Sequence, residues 1–221
     1  MMKLDASTEP TVGEMSWAST QAVVRGMFAP IRTAYQLATL RAQIATAQPL
    51  NVILGAGPVT TGGWIPTDVK MLDVTSERMW RRLFAPDSID RLVAEHLFEH
   101  LSDSGCEAAF AECFRYLSPG GLLRIAVPDG NRRDSVYIEE VSPPRDGHQI
   151  LFTVDGLRQR LVQAGFQVKP LEYFDAKGEF HCFPWSEQDG LIRRSARHDR
   201  QERFKRGTLF YTSLIVDARK P

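Results

Sequence analysis

The first unbroken apolar run, Leu50-Asn-Val-Ile-Leu54, closes on Gly55-Ala-Gly57-Pro58, the pattern of a buried strand entering a glycine turn. Further short extended runs follow at Trp64–Asp68, around Met71–Val74, at Ile89–Ala94 and at Leu122–Val127, the clearest of them. Phe166–Phe174 and Thr208–Ala218 read as the last two strands. Helical spacing appears at Ser104–Leu117, stopped by Pro119-Gly120-Gly121,. It appears again at Thr153–Ala164, with Thr153 as N-cap and Gly165 as the closing glycine,. Upstream, Met15–Ala47 is rich in Ala, Gln, Arg and Leu, and Pro30 divides it into two predicted helical pieces,.

Strands that alternate with helices and read as continuous apolar runs predict an α/β fold, a mostly parallel seven-stranded sheet covered on both faces. The last two strands have no helical segment between them, so the final strand is expected to be antiparallel, reached through an irregular excursion over about 175–207. Residues 128–150 read as a long loop, a feature that in compact domains is more often functional than idle. The expected organisation is an N-terminal helical extension over 1–47 and one main domain over 48–221.

Composition narrows the classes. Hydrophobic residues make up 43% and charged residues 24% of 221, which supports a buried core and excludes disorder as the main state. Lys plus Arg and Asp plus Glu both number 27, so no global basic footprint points to nucleic acid. No apolar stretch reaches the length of a membrane helix and the N-terminus has no signal-like apolar region,. The expectation is a soluble cytoplasmic protein. Three cysteines without a C-x-x-C pair fit reduced thiols, and Cys106 and Cys113 fall on one helix face, as packing residues do,.

The candidate chemistry begins at the glycine turn. Gly55, Ala56 and Gly57 follow a strand, where backbone can approach a ligand beyond the carboxyl end of a parallel sheet,. The dinucleotide pattern G-x-G-x-x-G fails at Thr60, and there is no P-loop,. Asp68 ends the next predicted strand, where a carboxylate accepts hydrogen bonds from ribose hydroxyls. Asp73 ends the third, positioned for an adenine amino group with the Val74 backbone on the ring edge. His96-Leu-Phe-Glu99-His100 matches H-x-x-E-H, the inverzincin zinc pattern, but directly after a strand rather than on a long helix,.

Taken in order, LNVILGAGPVTTGGWIPTDV, LDV, FAPDSIDRLVAEHLFEHL and FRYLSPGGLLRIAVPDG resemble the class I S-adenosylmethionine (SAM)-dependent methyltransferases, specifically a short type-11-like branch of predicted methyltransferases. The resemblance runs from about residue 50 to the C-terminus, through HQILFTVDGLRQRLVQAGF and YTSLIVDARKP. It implies a Rossmann-like sandwich with Gly55, Ala56 and Gly57 against the methionine part of SAM, Asp68 on the ribose, Asp73 and Val74 at the adenine, and Glu95 and His96 near the transferable methyl group. Only six residues, Pro58–Gly63, separate the glycine turn from Trp64, so no full helix fits between the first two strands and the cofactor is expected to be less covered.

Methyl transfer from a sulfonium depends mainly on alignment. Where an acceptor proton must be removed, Asp129, just past the fifth predicted strand, and His148 are the candidate bases. The aromatic and basic stretch Tyr173–Arg206, with Arg193, Arg194, Arg197 and Arg200, is a candidate acceptor lid. The implied acceptor is a small or sugar-containing molecule. Two rival readings are a non-catalytic SAM or S-adenosylhomocysteine (SAH) binding protein, and a zinc hydrolase using His96, Glu99 and His100.

Overall fold

The computed structural model describes residues 34–198 and 212–221. The chain divides into two compact units, Met1–Leu40 and Arg41–Pro221. Residues 34–46 are helical (α1); the expected helical piece before Pro30 lies outside the described residues.

One seven-stranded sheet organises the rest. Its strands are β1 (Asn51–Leu54), β2 (Ile65–Pro66), β3 (Ile89–Glu95), β4 (Leu117–Val127), β5 (Gln167–Phe174), β6 (Phe180–Cys182) and β7 (Leu214–Arg219), in the order β2-β1-β3-β4-β7-β5-β6. The pairs β1–β2, β1–β3 and β3–β4 are parallel, while β7 runs antiparallel to both β4 and β5. Every residue of β1 and Leu122–Val127 of β4 are buried, as strands covered on both faces must be. The helices are α2 (Glu77–Leu83), α3 (Asp103–Tyr116), α4 (Ser135–Val141) and α5 (Val154–Gln163). The Thr153 hydroxyl accepts from Gly156 N at 3.2 Å and Gly165 has φ +103°, the cap and closing glycine expected for α5,.

The strand total agrees with the sequence reading, but two members differ. The expected strand at Met71–Val74 is a turn: Met71 N and Leu72 N bond back to Asp68 O at 2.7 and 2.8 Å, and Asp73 Oδ1 accepts from Thr75 N at 3.0 Å and Thr75 Oγ1 at 2.8 Å. Polar groups satisfied this locally leave no ladder to build. In its place β6 pairs with β5 as a hairpin inside the excursion expected to be irregular. Pro119-Gly120-Gly121, expected to separate the helix from the next strand, lies inside β4 as an irregularity; Ile89 pairs with Leu117 but Arg91 already with Leu122,.

The expected loop over 128–150 contains α4, capped by Asp134, whose side chain accepts from Tyr137 N. None of its residues is fully buried, which is why it leaves no apolar periodicity to read. Of the expected strand Thr208–Ala218, residues 208–211 lie outside the described residues, and the strand is formed from Leu214. Among the described residues no helix is long and apolar enough to cross a membrane.

Candidate functional site

Beyond the carboxyl ends of β1 and β3 the chain opens into a cavity of about 280 Å3 lined by Leu54, Gly55, Ala56, Trp64, Glu95 and His96 and closed by Leu191, Arg193 and Arg194. Ligands of open α/β sheets sit at this end of the strands. The glycine turn fits its place: Gly55 has φ +63°, and a Cβ there would stand 3.0 Å from Leu97 Cδ1. Ala56 N bonds to Thr67 O at 2.8 Å, which ties the turn to β2 and puts Asp68 one residue beyond it, exposed, with Oδ1 2.6 Å from Val69 N.

A second cavity, about 450 Å3, shares His96 and Arg194 with the first and is otherwise lined by Pro128, Asp134, Tyr137, His148 and Ser213, among others. His96 stands between the two. Its φ is +54°, the left-handed region in which non-glycine residues are uncommon and which often marks functional positions. The ring has Nδ1 2.8 Å from Glu99 Oε1 and Nε2 2.9 Å from Ser213 Oγ, so it is held between the 3-10 turn Phe98–His100 and the residue before β7.

Of the residues singled out in the sequence, Gly55, Ala56, Glu95 and His96 therefore meet at the first cavity and His148 lines the second. Gly57, Asp68, Asp73, Val74 and Asp129 line neither. Asp73 holds the turn before α2, and Val74 O accepts from the buried Trp80 Nε1 at 2.9 Å. Asp129 is fully buried, and its two oxygens accept from Asn131 N at 2.9 Å and Phe174 N at 2.7 Å. That arrangement pins the end of β4 to β5 and turns the carboxylate away from both cavities. Burial outweighs the two amide bonds and pushes the Asp129 pKa up to about 6,.

The stretch expected to be an acceptor lid covers, in its described part, the first cavity as well as touching the second, and what the sequence did not show is how it is held. Arg193 reaches Thr61 Oγ1 at 3.4 Å across the mouth. Arg124, in the middle of the apolar run of β4, is fully buried and donates to Asp217 through Nε and Nη2 at 2.7 and 2.9 Å and to the Ser186 and Gly190 carbonyls at 2.6 Å each. Buried Glu172 accepts from Trp185 Nε1 and Ala196 N, both at 2.7 Å, and Glu95 accepts from Arg194 N at 2.6 Å. Gly190 has φ +134°, and a Cβ there would overlap Val93 Cγ2. The sequence signal was present: a charged residue in the centre of an otherwise apolar strand needs a buried partner. Arg197 stacks over Trp185, 4.5 Å from the ring centroid, and bonds Glu187 at 3.0 Å; Arg200 lies outside the described residues.

The H-x-x-E-H pattern does not converge as written: Glu99 and His100 come together with His148, the two rings 4.9 Å apart, while His96 stands between the cavities with Nδ1 2.8 Å from Glu99 Oε1. No protein-family model matches the chain, and no curated protein does. Among solved structures the chain is similar to a SAM-dependent methyltransferase from Archaeoglobus fulgidus, with TM-score 0.46, 14% identity, and 85% of this chain and 94% of that one covered. It is similar to one from Mesorhizobium loti, with TM-score 0.45, 15% identity and coverage of 82% and 96%. It is also similar to the magnesium protoporphyrin IX methyltransferase of Synechocystis with bound SAH, with TM-score 0.45, 10% identity and coverage of 95% and 90%.

Proposed function

We propose that this chain transfers a methyl group from SAM to a small or sugar-containing acceptor. The observation that carries the reading is the pair of cavities meeting at His96 and Arg194 beyond the parallel strands. In-line displacement needs sulfur, methyl carbon and nucleophile on one axis, and two adjoining compartments supply that axis. SAM occupies the cavity against Gly55 and Ala56, and Asp68, exposed two residues after β2 and outside the cavity lining, is assigned the ribose hydroxyls. The acceptor occupies the larger cavity, and the fixed His96 ring positions it against the methyl group. A second compartment beside the cofactor favours an enzyme over a non-catalytic binding protein. Asp129, with both oxygens on main-chain amides, is given no part in proton transfer.

Calorimetric titration of the full chain with SAM and with SAH tests the reading. Saturable binding of both is expected, with Asp68→Ala weakening it by about ten- to 150-fold, the value of a lost charge-assisted hydrogen bond at about 1.5–3 kcal/mol. Absence of binding by either ligand overturns the proposal, and unchanged affinity in Asp68→Ala overturns the placement of the ribose.

A further inference from the structure

Glu99, beside the site, is fully buried, and neither oxygen accepts a hydrogen bond of ordinary geometry; His96 Nδ1 lies 2.8 Å from Oε1. A buried carboxylate left this way costs several kcal/mol unless a cation completes it. Two further imidazoles stand beside it. Ligand atoms of Glu99, His100 and His148 all lie within 4.8 Å of one another, and the two rings meet edge-on, 4.9 Å apart at 70°.

The tautomer of His148 is set by its surroundings. Nδ1 lies 2.7 Å from Val141 O, and a carbonyl only accepts, so Nδ1 carries a proton and in the neutral ring Nε2 is the nitrogen with the lone pair. An imidazole that donates one N–H to a carbonyl while the other nitrogen stays open is the usual state of a metal-binding histidine. The backbone holds the group together from both sides. Gln149 N and Ile150 N bond to Glu99 O at 2.7 and 3.2 Å, and Gln149 Nε2 bonds to His100 O at 2.7 Å. The spacing of the 98–100 and 148–150 segments is therefore set without help from the three side chains.

We infer that Glu99, His100 and His148 form a site for one divalent transition-metal ion of the zinc class. Two imidazoles and one carboxylate suit zinc or cobalt rather than magnesium or calcium, and three protein ligands leave a fourth position open. Donor atoms on one zinc ion at about 2.1 Å stand about 3.4 Å apart in a tetrahedron, so ligation draws together three groups that already lie within 4.8 Å of one another. Of the three ligands His148 alone lines the 450 Å3 cavity, so it is the residue that would join a bound ion to that cavity. The ligand set differs from the sequence pattern in taking His148 in place of His96, and the site stands whether or not the chain transfers methyl groups.

Untagged full-length protein, stripped by a chelator and titrated with zinc chloride against a chromophoric competitor, is expected to bind one ion per chain. His148→Ala and Glu99→Gln each weaken this by at least about 100-fold, while His96→Gln keeps the one-to-one stoichiometry. Cobalt(II) gives visible ligand-field bands with the unsubstituted protein and none with His148→Ala. Should Glu99→Gln fail to fold by circular dichroism, His100→Ala carries the same test. Absence of a stoichiometric ion, an ion that survives His148→Ala, or one lost in His96→Gln overturns the assignment.

Discussion

Asp129 is a buried carboxylate whose hydrogen bonds do not fully offset its desolvation, and stability should report it. With the folded pKa raised from near 4 to about 6, the folded state holds its proton more tightly than the unfolded chain does. The contribution is therefore present at low pH and is lost as pH rises from about 4 to about 6, then levels off. Two units correspond to about 3 kcal/mol at most. Urea unfolding at pH 4, 5, 6 and 7 should show the unsubstituted protein losing up to that amount relative to Asp129→Asn; parallel curves would contradict the raised value. Trp80 shows the opposite case, a buried polar atom fully answered, with its indole N–H on Val74 O and its ring 5.3 Å from and nearly parallel to that of Tyr116.

The elements divide by how they earn their stability. Removing Arg124 leaves Asp217 facing the sheet without its partner and frees the carbonyls of Ser186 and Gly190, so Arg124→Met should cost about 3–5 kcal/mol in urea unfolding. Asp217→Leu added to it should recover part of that loss, while protease cleavage within 186–194 stays accelerated. Strands and helices held by apolar packing were legible from the sequence: β1, β3, β5, α3 and α5 lie within two residues of their expected bounds. So was the glycine turn at the carboxyl end of β1. Elements held by polar contacts were not legible. The α4 helix depends on the Asp134 cap and on Tyr137 Oη receiving Asp129 N at 2.9 Å, β6 is three residues long, and the turn at Met71–Val74 is decided by one aspartate. The same limit applied at the site, where His148 and Glu99 are 49 positions apart in the chain and are brought together by the backbone pairing of 99 with 149 and 150.

For the whole molecule, the described part of the excursion, residues 175–198, behaves as part of the core. Ile192 is fully buried in a cluster with Val93, Ala126, Leu171 and Ile215, with Trp64 and Trp185 packed against it, and Arg91 reaches Asp189 at 3.1 Å from the sheet side. Amide hydrogen exchange should accordingly find Arg194 and Ala196 protected to within about tenfold of β7, and rapid exchange at both would show that the cover opens on its own. Most of the sheet's grip on this segment falls on main-chain atoms: the carbonyls of Ser186 and Gly190 and the amides of Arg194 and Ala196, with the Trp185 indole as an exception. A segment fastened by its backbone can exchange side chains at Leu191 and Arg193 without losing its path. The face it turns to the ligand is then open to divergence, and descendants of this chain can change what they recognise while leaving the architecture of the binding end intact.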